Sequence, residues 1–280
     1  MRQKVAWLLL APNLGLLFFA MLGPLALLAR ISLKGYESGH GIVETWQLSN
    51  YSKFLFDPFY REVLWGTLLL GAEVTVVCLV LGFPLAHALS QSRGWKRSTL
   101  YFCILMPLLT STVVRTFGWM ILLANNGFIN RTLTALHFIH APLRLMYNRT
   151  GVVIALAEVL LPFMVLALDT ALLNISTSIY EAARNLGASS VRIFLRITLP
   201  LSLPGIVSGC VLVFTGALSA FVTPTLIAGA RVKVMSTLIY QQAMMLLDWP
   251  FGAAVAFIML VTILLLFGAS MRLSEQRREA

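Results

Sequence analysis

A chain of 280 residues that is 59% hydrophobic and only 11% charged is not an ordinary soluble domain, because such domains carry about a quarter charged residues. The formal net charge is +10, yet the cations stand singly between apolar runs. That spacing excludes a clustered nucleic-acid-binding face and suits cations that set membrane topology.

Taken in chain order, the sequence predicts an all-α polytopic membrane protein. Apolar stretches cover roughly residues 5–31, 63–90, 99–124, 151–175, 204–228 and 249–271. Each is long enough to cross a bilayer, which needs about 20 apolar residues, and each must be helical because lipid offers backbone groups no partner. The first follows Arg2 and Lys4 but is too long for a signal-peptide core of about 7–15 residues, so it reads as a retained span. Pro12, Pro24, Pro84, Pro107, Pro162 and Pro224 fall inside the spans, where prolines kink helices without forbidding them. Cys78, Cys103 and Cys210 lie far apart within apolar runs and read as packing residues. With the N-terminus cytoplasmic, the connections on that side carry Lys and Arg at about twice the density of the others. Both termini and segment 176–203 are then cytoplasmic. The outer connection 125–150 predicts a short surface helix. His137 and His140 are set three apart on it, but with no third ligand they read as structural.

Segment 176–203 is the largest stretch that residence in lipid does not explain. Ser178 and Glu181 have capping-box spacing at a helix start. Ala182 and Ala183 are small helix formers, and Gly187 sits where a left-handed cap would end that helix. Ser189 or Ser190 starts a second helix, with Arg192 and Arg196 on one face and Pro200 and Pro204 marking its end. Helix, glycine turn and helix make a rigid knob suited to docking a soluble partner.

The residues Glu181, Ala182, Ala183, Gly187, Ile197, Leu199 and Pro200 resemble the EAA loop of bacterial binding-protein-dependent ABC importer permeases. That pattern is Glu-Ala-Ala, three residues, Gly, nine residues, then Ile-x-Leu-Pro. Asn50-Tyr51, Asp57-Pro58, Gly82-Phe-Pro84, Leu161-Pro-Phe-Met-Val165 and Asp248-Trp-Pro-Phe-Gly-Ala-Ala254 look like the spermidine/putrescine type in particular. The resemblance implies a type I ABC importer permease fold in a single membrane domain, 1–280, with a core domain at 63–271. It implies that 176–203 is the coupling loop for a cytoplasmic ATPase. It further implies two ATPase subunits, a second permease chain homologous to this one, a periplasmic solute-binding protein and an inner-membrane location.

The chain has no Gly-x-x-x-x-Gly-Lys-[Ser/Thr], and none of its five lysines precedes Ser or Thr, so it lacks a P-loop for ATP. ATP and Mg²⁺ are expected on the partner ATPase, with no cofactor or metal on this chain and no catalytic residue. Glu73, Glu158 and Asp169 are acids inside the spans, and Arg115 is a base there. Intramembrane charges are expensive and mark functional candidates. Two readings stand side by side. In one, the acids line a route for a cationic substrate, aided by Trp119, Phe163 and Phe221 through cation–π contacts. In the other, Arg115 and Glu158 form a structural ion pair. Asp248-Trp249-Pro250 reads as an interfacial turn. The resemblance implies polyamine import, with an opine, an amino acid derivative or an aminophosphonate as alternative cargoes. An ion-coupled secondary transporter is the competing class, supported only by the three acids.

Overall fold

The computed structural model describes residues 2–37, 39–229 and 231–279, with side chains over 12–13, 15–37, 39–229 and 231–268. The termini Met1 and Ala280 lie outside the described residues. The chain divides into two compact units, one of Met1–Glu62 with Thr237–Thr262 and one of Val63–Ser236 with Ile263–Ala280.

The first unit begins with α1, Arg2–Ser32. A two-stranded antiparallel hairpin follows, β1 Gly35–Glu37 and β2 Gly41–Val43, and amends the all-α expectation. Only three residues pair on each side, too few for an alternating pattern to register in the sequence. Lys34 pairs with Glu44 beside the hairpin, and that hydrogen bond and charge hold the Glu44 carboxyl below its usual range. The short helix α2, Ser49–Phe56, is fastened by Asn50, whose amide donates to Ser32 O and Lys34 O, both at 2.9 Å. Those carbonyls lie at and just past the end of α1, where the helix itself offers no donor. The hydroxyls of Tyr51 and Ser32 share a 2.7 Å bond. The Asn50-Tyr51 pair is therefore a clasp between two helices.

Helix α3, Pro58–Gln91, starts at a proline preceded by Asp57, whose carboxylate accepts from Phe59 N at 2.9 Å. Pro at the first helical position gives up a donor the helix could not use. Toward the other end of the chain, Asp248 accepts from Phe251 N at 3.0 Å where helix Trp249–Glu279 begins. Both Asp-Pro-like signatures in the sequence are thus helix N-caps. Trp249 is exposed, in keeping with an interfacial anchor.

The second unit carries the larger core. After α3 come α4, Gly94–Leu105, and α5, Thr112–Leu123. A 3₁₀ turn at Met106–Leu109 separates them, and the path bends by 97° there. The span expected at 99–124, with a kink at Pro107, is broken there outright, the proline in the turn removing a donor. Helix α6, Phe128–Ala135, is the expected short helix of the outer connection. His137 and His140 lie beyond its end rather than on it, His137 with φ +57° in the closing turn. Among the described residues no cluster of His, Cys, Asp or Glu suits a metal ion.

Helix α7, Arg149–Leu173, is capped by Asn148, which accepts from Gly151 N at 2.9 Å, and is the most buried of the long apolar helices among the described residues. The segment after it forms α8 Thr177–Asn185, α9 Ser190–Ile193, a π-helical turn at Phe194–Thr198, and α10 Leu199–Leu201. Helix α11, Leu203–Ser219, then leaves at 62°. It packs on α7 through Gly205 and Gly209. A Cβ on Gly209 would sit 2.6 Å from Met164 Sδ, and one on Gly205 would collide with Ala171. Glycines spaced by four let two membrane helices approach backbone to backbone. The span expected at 204–228 is interrupted at Ala220, and the chain resumes as α12, Val222–Ala228. Then come α13, Met235–Tyr240, a second π turn at Gln241–Met245, and α14, Trp249–Glu279. Among the described residues, four helices are long and apolar enough to span a bilayer, and the two bent pairs bring the total to six if each counts as one span.

Candidate functional site: the coupling segment and the charged helix contacts

The segment between α7 and α11 is built from its caps. Helix α8 starts one residue before Ser178, with Ser176 at the N-cap in extended conformation. The expected capping box is not formed, because the Ser176 hydroxyl is engaged by Ser178 Oγ at 2.7 Å and caps no backbone N–H. The other end follows expectation. Gly187 has φ +75°, its N–H donates to Arg184 O at 2.9 Å, and Ala188 N donates to Ala183 O at 3.0 Å. This pair of bonds is the Schellman closure, which needs the left-handed conformation glycine adopts without strain. Ser189 caps the next helix, accepting from Arg192 N at 3.4 Å.

The second helix ends between Pro200 and Pro204, as the two prolines indicate, but it runs one residue past Pro200. The π turn just before it bonds Leu199 N to Phe194 O, so the helix widens ahead of the proline instead of stopping. The break comes at Ser202, whose hydroxyl donates to Leu199 O at 3.0 Å. Tyr180 faces inward and accepts from the Thr198 hydroxyl at 3.5 Å, tying α8 to the π turn. Leu199 and Phe194 pack against the core of the unit. Glu181, Ala182, Gly187 and Pro200 are exposed, while Ala183, Ile197 and Leu199 are half-buried. The tip of the turn is Leu186, 88% exposed, and Val191, Leu195, Arg184, Arg192 and Arg196 of the same segment are also exposed. Leu186 carries no motif letter, and only the location of the turn reveals its role as the projecting apolar residue.

Each of the three intramembrane acids meets an arginine. Asp169, 1% exposed, accepts at Oδ2 from Arg97 Nη2 at 2.8 Å and from the Tyr101 hydroxyl. Arg97 also donates through Nη1 to Leu89 O at 2.9 Å, satisfying a carbonyl in the last turn of α3. Its guanidinium lies over the Tyr101 ring at 5.1 Å. One buried acid thus fastens α3, α4 and α7. The sequence reading missed Arg97 by counting it as a connection charge. Its four-residue spacing from Tyr101 was the available signal.

Glu158, 27% exposed, lies 3.5 Å from Arg115 Nε and accepts from Trp119 Nε1 at 3.3 Å. Arg115 Nη1 also donates to Pro107 O at 2.5 Å, at the break between α4 and α5. Glu73 accepts from Arg149 Nε at 2.6 Å, and both side chains are partly open. Phe163 is exposed, but it is five residues from Glu158, about 140° around the helix, so the two do not share a face. Phe221 lies at the interruption before α12. The structure therefore groups Arg115, Trp119 and Glu158, and it places Asp169 and Glu73 in separate pairs.

Comparison with known proteins accords with this architecture. The family described as "Binding-protein-dependent transport system inner membrane component" matches residues 78–280. The chain is 37% identical over 235 residues to the spermidine/putrescine transport system permease protein PotB of Escherichia coli, covering 83% of this chain and 85% of that protein. It is 33% identical to the Haemophilus influenzae protein of the same name, over 86% of this chain and 84% of that one. Among solved structures, a chain of a bacterial alginate ABC transporter, in complex with an alginate pentasaccharide-bound periplasmic protein, superposes with TM-score 0.80 at 17% identity, covering 98% and 95% of the two chains. A chain of the MetNI methionine ABC transporter in an inward-facing conformation gives 0.59 at 17% identity, over 77% and 94%. At such identities these structures establish the fold. With the family match over residues 78–280 and two relatives above 30% identity along most of the chain, this protein belongs to the binding-protein-dependent transport system inner membrane component family.

Proposed function

We propose that the chain is the permease subunit of an ATP-driven importer for polyamines of the spermidine and putrescine class, spanning the bacterial inner membrane six times with both termini cytoplasmic. The observation that carries the ATP-coupled part is the coupling segment. Its motif residues flank a Schellman turn that leaves Leu186 exposed, and the segment carries three exposed arginines, Arg184, Arg192 and Arg196. An exposed apolar tip on a rigid double-capped knob suits a socket on a soluble subunit, with the arginines meeting an acidic rim. Two ATPase subunits, a second, homologous permease chain and a periplasmic solute-binding protein complete the assembly on this reading. ATP and Mg²⁺ belong to the ATPases.

The polyamine assignment follows from the relatives, which carry that transport in their names. Within the path, Glu158 with Trp119 is the candidate contact for an ammonium group, because it combines an acid, an aromatic face and partial exposure. Glu73 and Phe163 are further candidates, both open. Asp169 serves as a fastening rather than a contact, since Arg97 and Tyr101 occupy it in a buried site.

The test has two arms. Labelled spermidine or putrescine uptake is measured in cells expressing the whole system, with and without ATP depletion. The cognate binding protein is titrated with the same amines by calorimetry. Uptake that stops without ATP, together with amine binding, supports the proposal. Uptake that persists on a proton gradient in ATP-depleted cells overturns the importer reading. A binding protein that ignores polyamines and takes an opine, an amino acid derivative or an aminophosphonate overturns the cargo alone.

A further inference from the structure

The π turn at Phe194–Thr198 holds one aromatic side chain, Phe194, and that ring makes contacts no cap or motif requires. It meets Phe83 of α3 edge-on, with centroids 5.4 Å apart and planes at 84°. It also meets His87, one turn further along α3, at 6.3 Å and 76°. Phe83 is buried and Phe194 packs on the core of its unit, so the contact is a seated wedge rather than a surface touch. His87 Nε2 is 2.9 Å from the Gln91 amide, and its buried Nδ1 has no hydrogen-bond partner. The His87 ring therefore faces Phe194 as a packing plate, held from the side.

The local backbone explains why the wedge sits there. Pro200 lacks an N–H, and the helix accommodates it by widening into the π turn that begins at Phe194. At the opposite edge of that turn Thr198, itself buried, reaches the Tyr180 hydroxyl of α8. A displacement of α8 thus has two routes into the membrane. One runs along the chain through the 62° bend into α11, and the other runs sideways through the π turn into α3. Interfaces packed this closely respond as units and not by continuous deformation.

We propose that Phe194 is the residue through which motion of the coupling segment reaches α3, its ring bearing on Phe83 and His87. This rests on the coupling reading of segment 176–203. The Phe194–Phe83 contact is thereby a positioning device for the transport cycle, distinct from the surface that docks the ATPase.

The experiment uses the full transporter, assembled with its ATPases, partner permease and binding protein in proteoliposomes. Its readout is amine transported per ATP hydrolysed. Phe83→Ala lies outside the docking segment, and assembly and basal ATP hydrolysis are measured alongside it. Phe83→Leu, which keeps the buried site filled without the ring, is the second variant, expected to show the same loss. Transport per ATP should fall roughly fivefold or more, the lower range of free energies that couple distant sites. Phe194→Ala should show the same loss of yield, Phe194→Leu should recover part of it, and the double alanine variant should be no worse than either single one. Unchanged transport per ATP in Phe83→Ala overturns the proposal even if Phe194→Ala fails to assemble. A proportional fall of transport and hydrolysis in both variants, or additive losses in the double variant, also overturns it. The docking reading fails separately, if Gly187→Val assembles and transports normally.

Discussion

Gly187 offers the most direct test of the coupling segment, because its requirement is conformational and nothing else. Its φ of +75° lies in the left-handed region, and no atom lies within 4 Å of where a Cβ would stand. Substitution therefore introduces strain without collision. Alanine held in this conformation costs about 1 kcal/mol, and a β-branched valine about 2–3 kcal/mol. The alternative, letting the turn open, forfeits the Gly187–Arg184 and Ala188–Ala183 bonds, each worth about 0.5–1.5 kcal/mol net. Either way the docking-ready turn is disfavoured by an amount set by backbone chemistry. Expressed as apparent affinity for the ATPase, about 1 kcal/mol is roughly fivefold and 2–3 kcal/mol is roughly thirty- to a hundred-and-fiftyfold. Asparagine tolerates the left-handed region and should recover most of the loss. The assay is co-purification of the ATPase with membrane-inserted permease, titrated to give relative affinity, alongside uptake. The expected order is Gly, Asn, Ala, Val. An alanine variant equal to wild type, or an asparagine variant as poor as valine, would refute the reasoning.

Three further outcomes follow from the helix contacts. Arg97→Met should lower thermal stability in detergent by about 3–5 kcal/mol, because it strands the buried Asp169 carboxylate. The double variant with Asp169→Asn should regain much of that loss, and equal instability in both would argue against a fastening role. Glu158→Gln should raise the apparent KM for amine uptake with membrane insertion intact, since it removes the charge beside Trp119. Unchanged uptake at unchanged KM removes Glu158 from the path. Gly209→Leu should destabilise the α7–α11 contact by about 1–3 kcal/mol through overpacking against Met164, read as a lowered unfolding temperature.

Much of this molecule is local and therefore legible from its sequence. Apolar length located the long helices, because lipid leaves the backbone no alternative to internal hydrogen bonding. The turn at Gly187 was legible for the same reason: only a residue without a Cβ adopts that conformation freely, so its position after a capped helix is diagnostic. The cap at Ser189 belongs with it. Ser178 shows the limit of such local signals. Capping-box spacing was present, but Ser176 took the N-cap and its hydroxyl bonded Ser178 instead.

The breaks at Pro107 and Ala220 illustrate the same limit on a larger scale. Prolines inside apolar runs signal strain, but whether a helix kinks, widens into a π turn or stops depends on which neighbours satisfy the freed carbonyls. Arg115 takes Pro107 O, and the π turn absorbs Pro200. The small hairpin was invisible because three residues per strand hold no periodicity.

Composition, span lengths and the caps and glycine turn of segment 176–203 determined by themselves that this is a chain of membrane-spanning length and apolarity with a helix–turn–helix between two of its spans. Each of those features is a property of neighbouring residues along the chain. The pairing of Asp169 with Arg97, of Glu73 with Arg149, and of Phe194 with Phe83 and His87 was decided only by the tertiary structure. Those contacts join residues tens of positions apart, and the packing of α3, α4, α7 and the π turn at Phe194–Thr198 sets which charges and rings can meet.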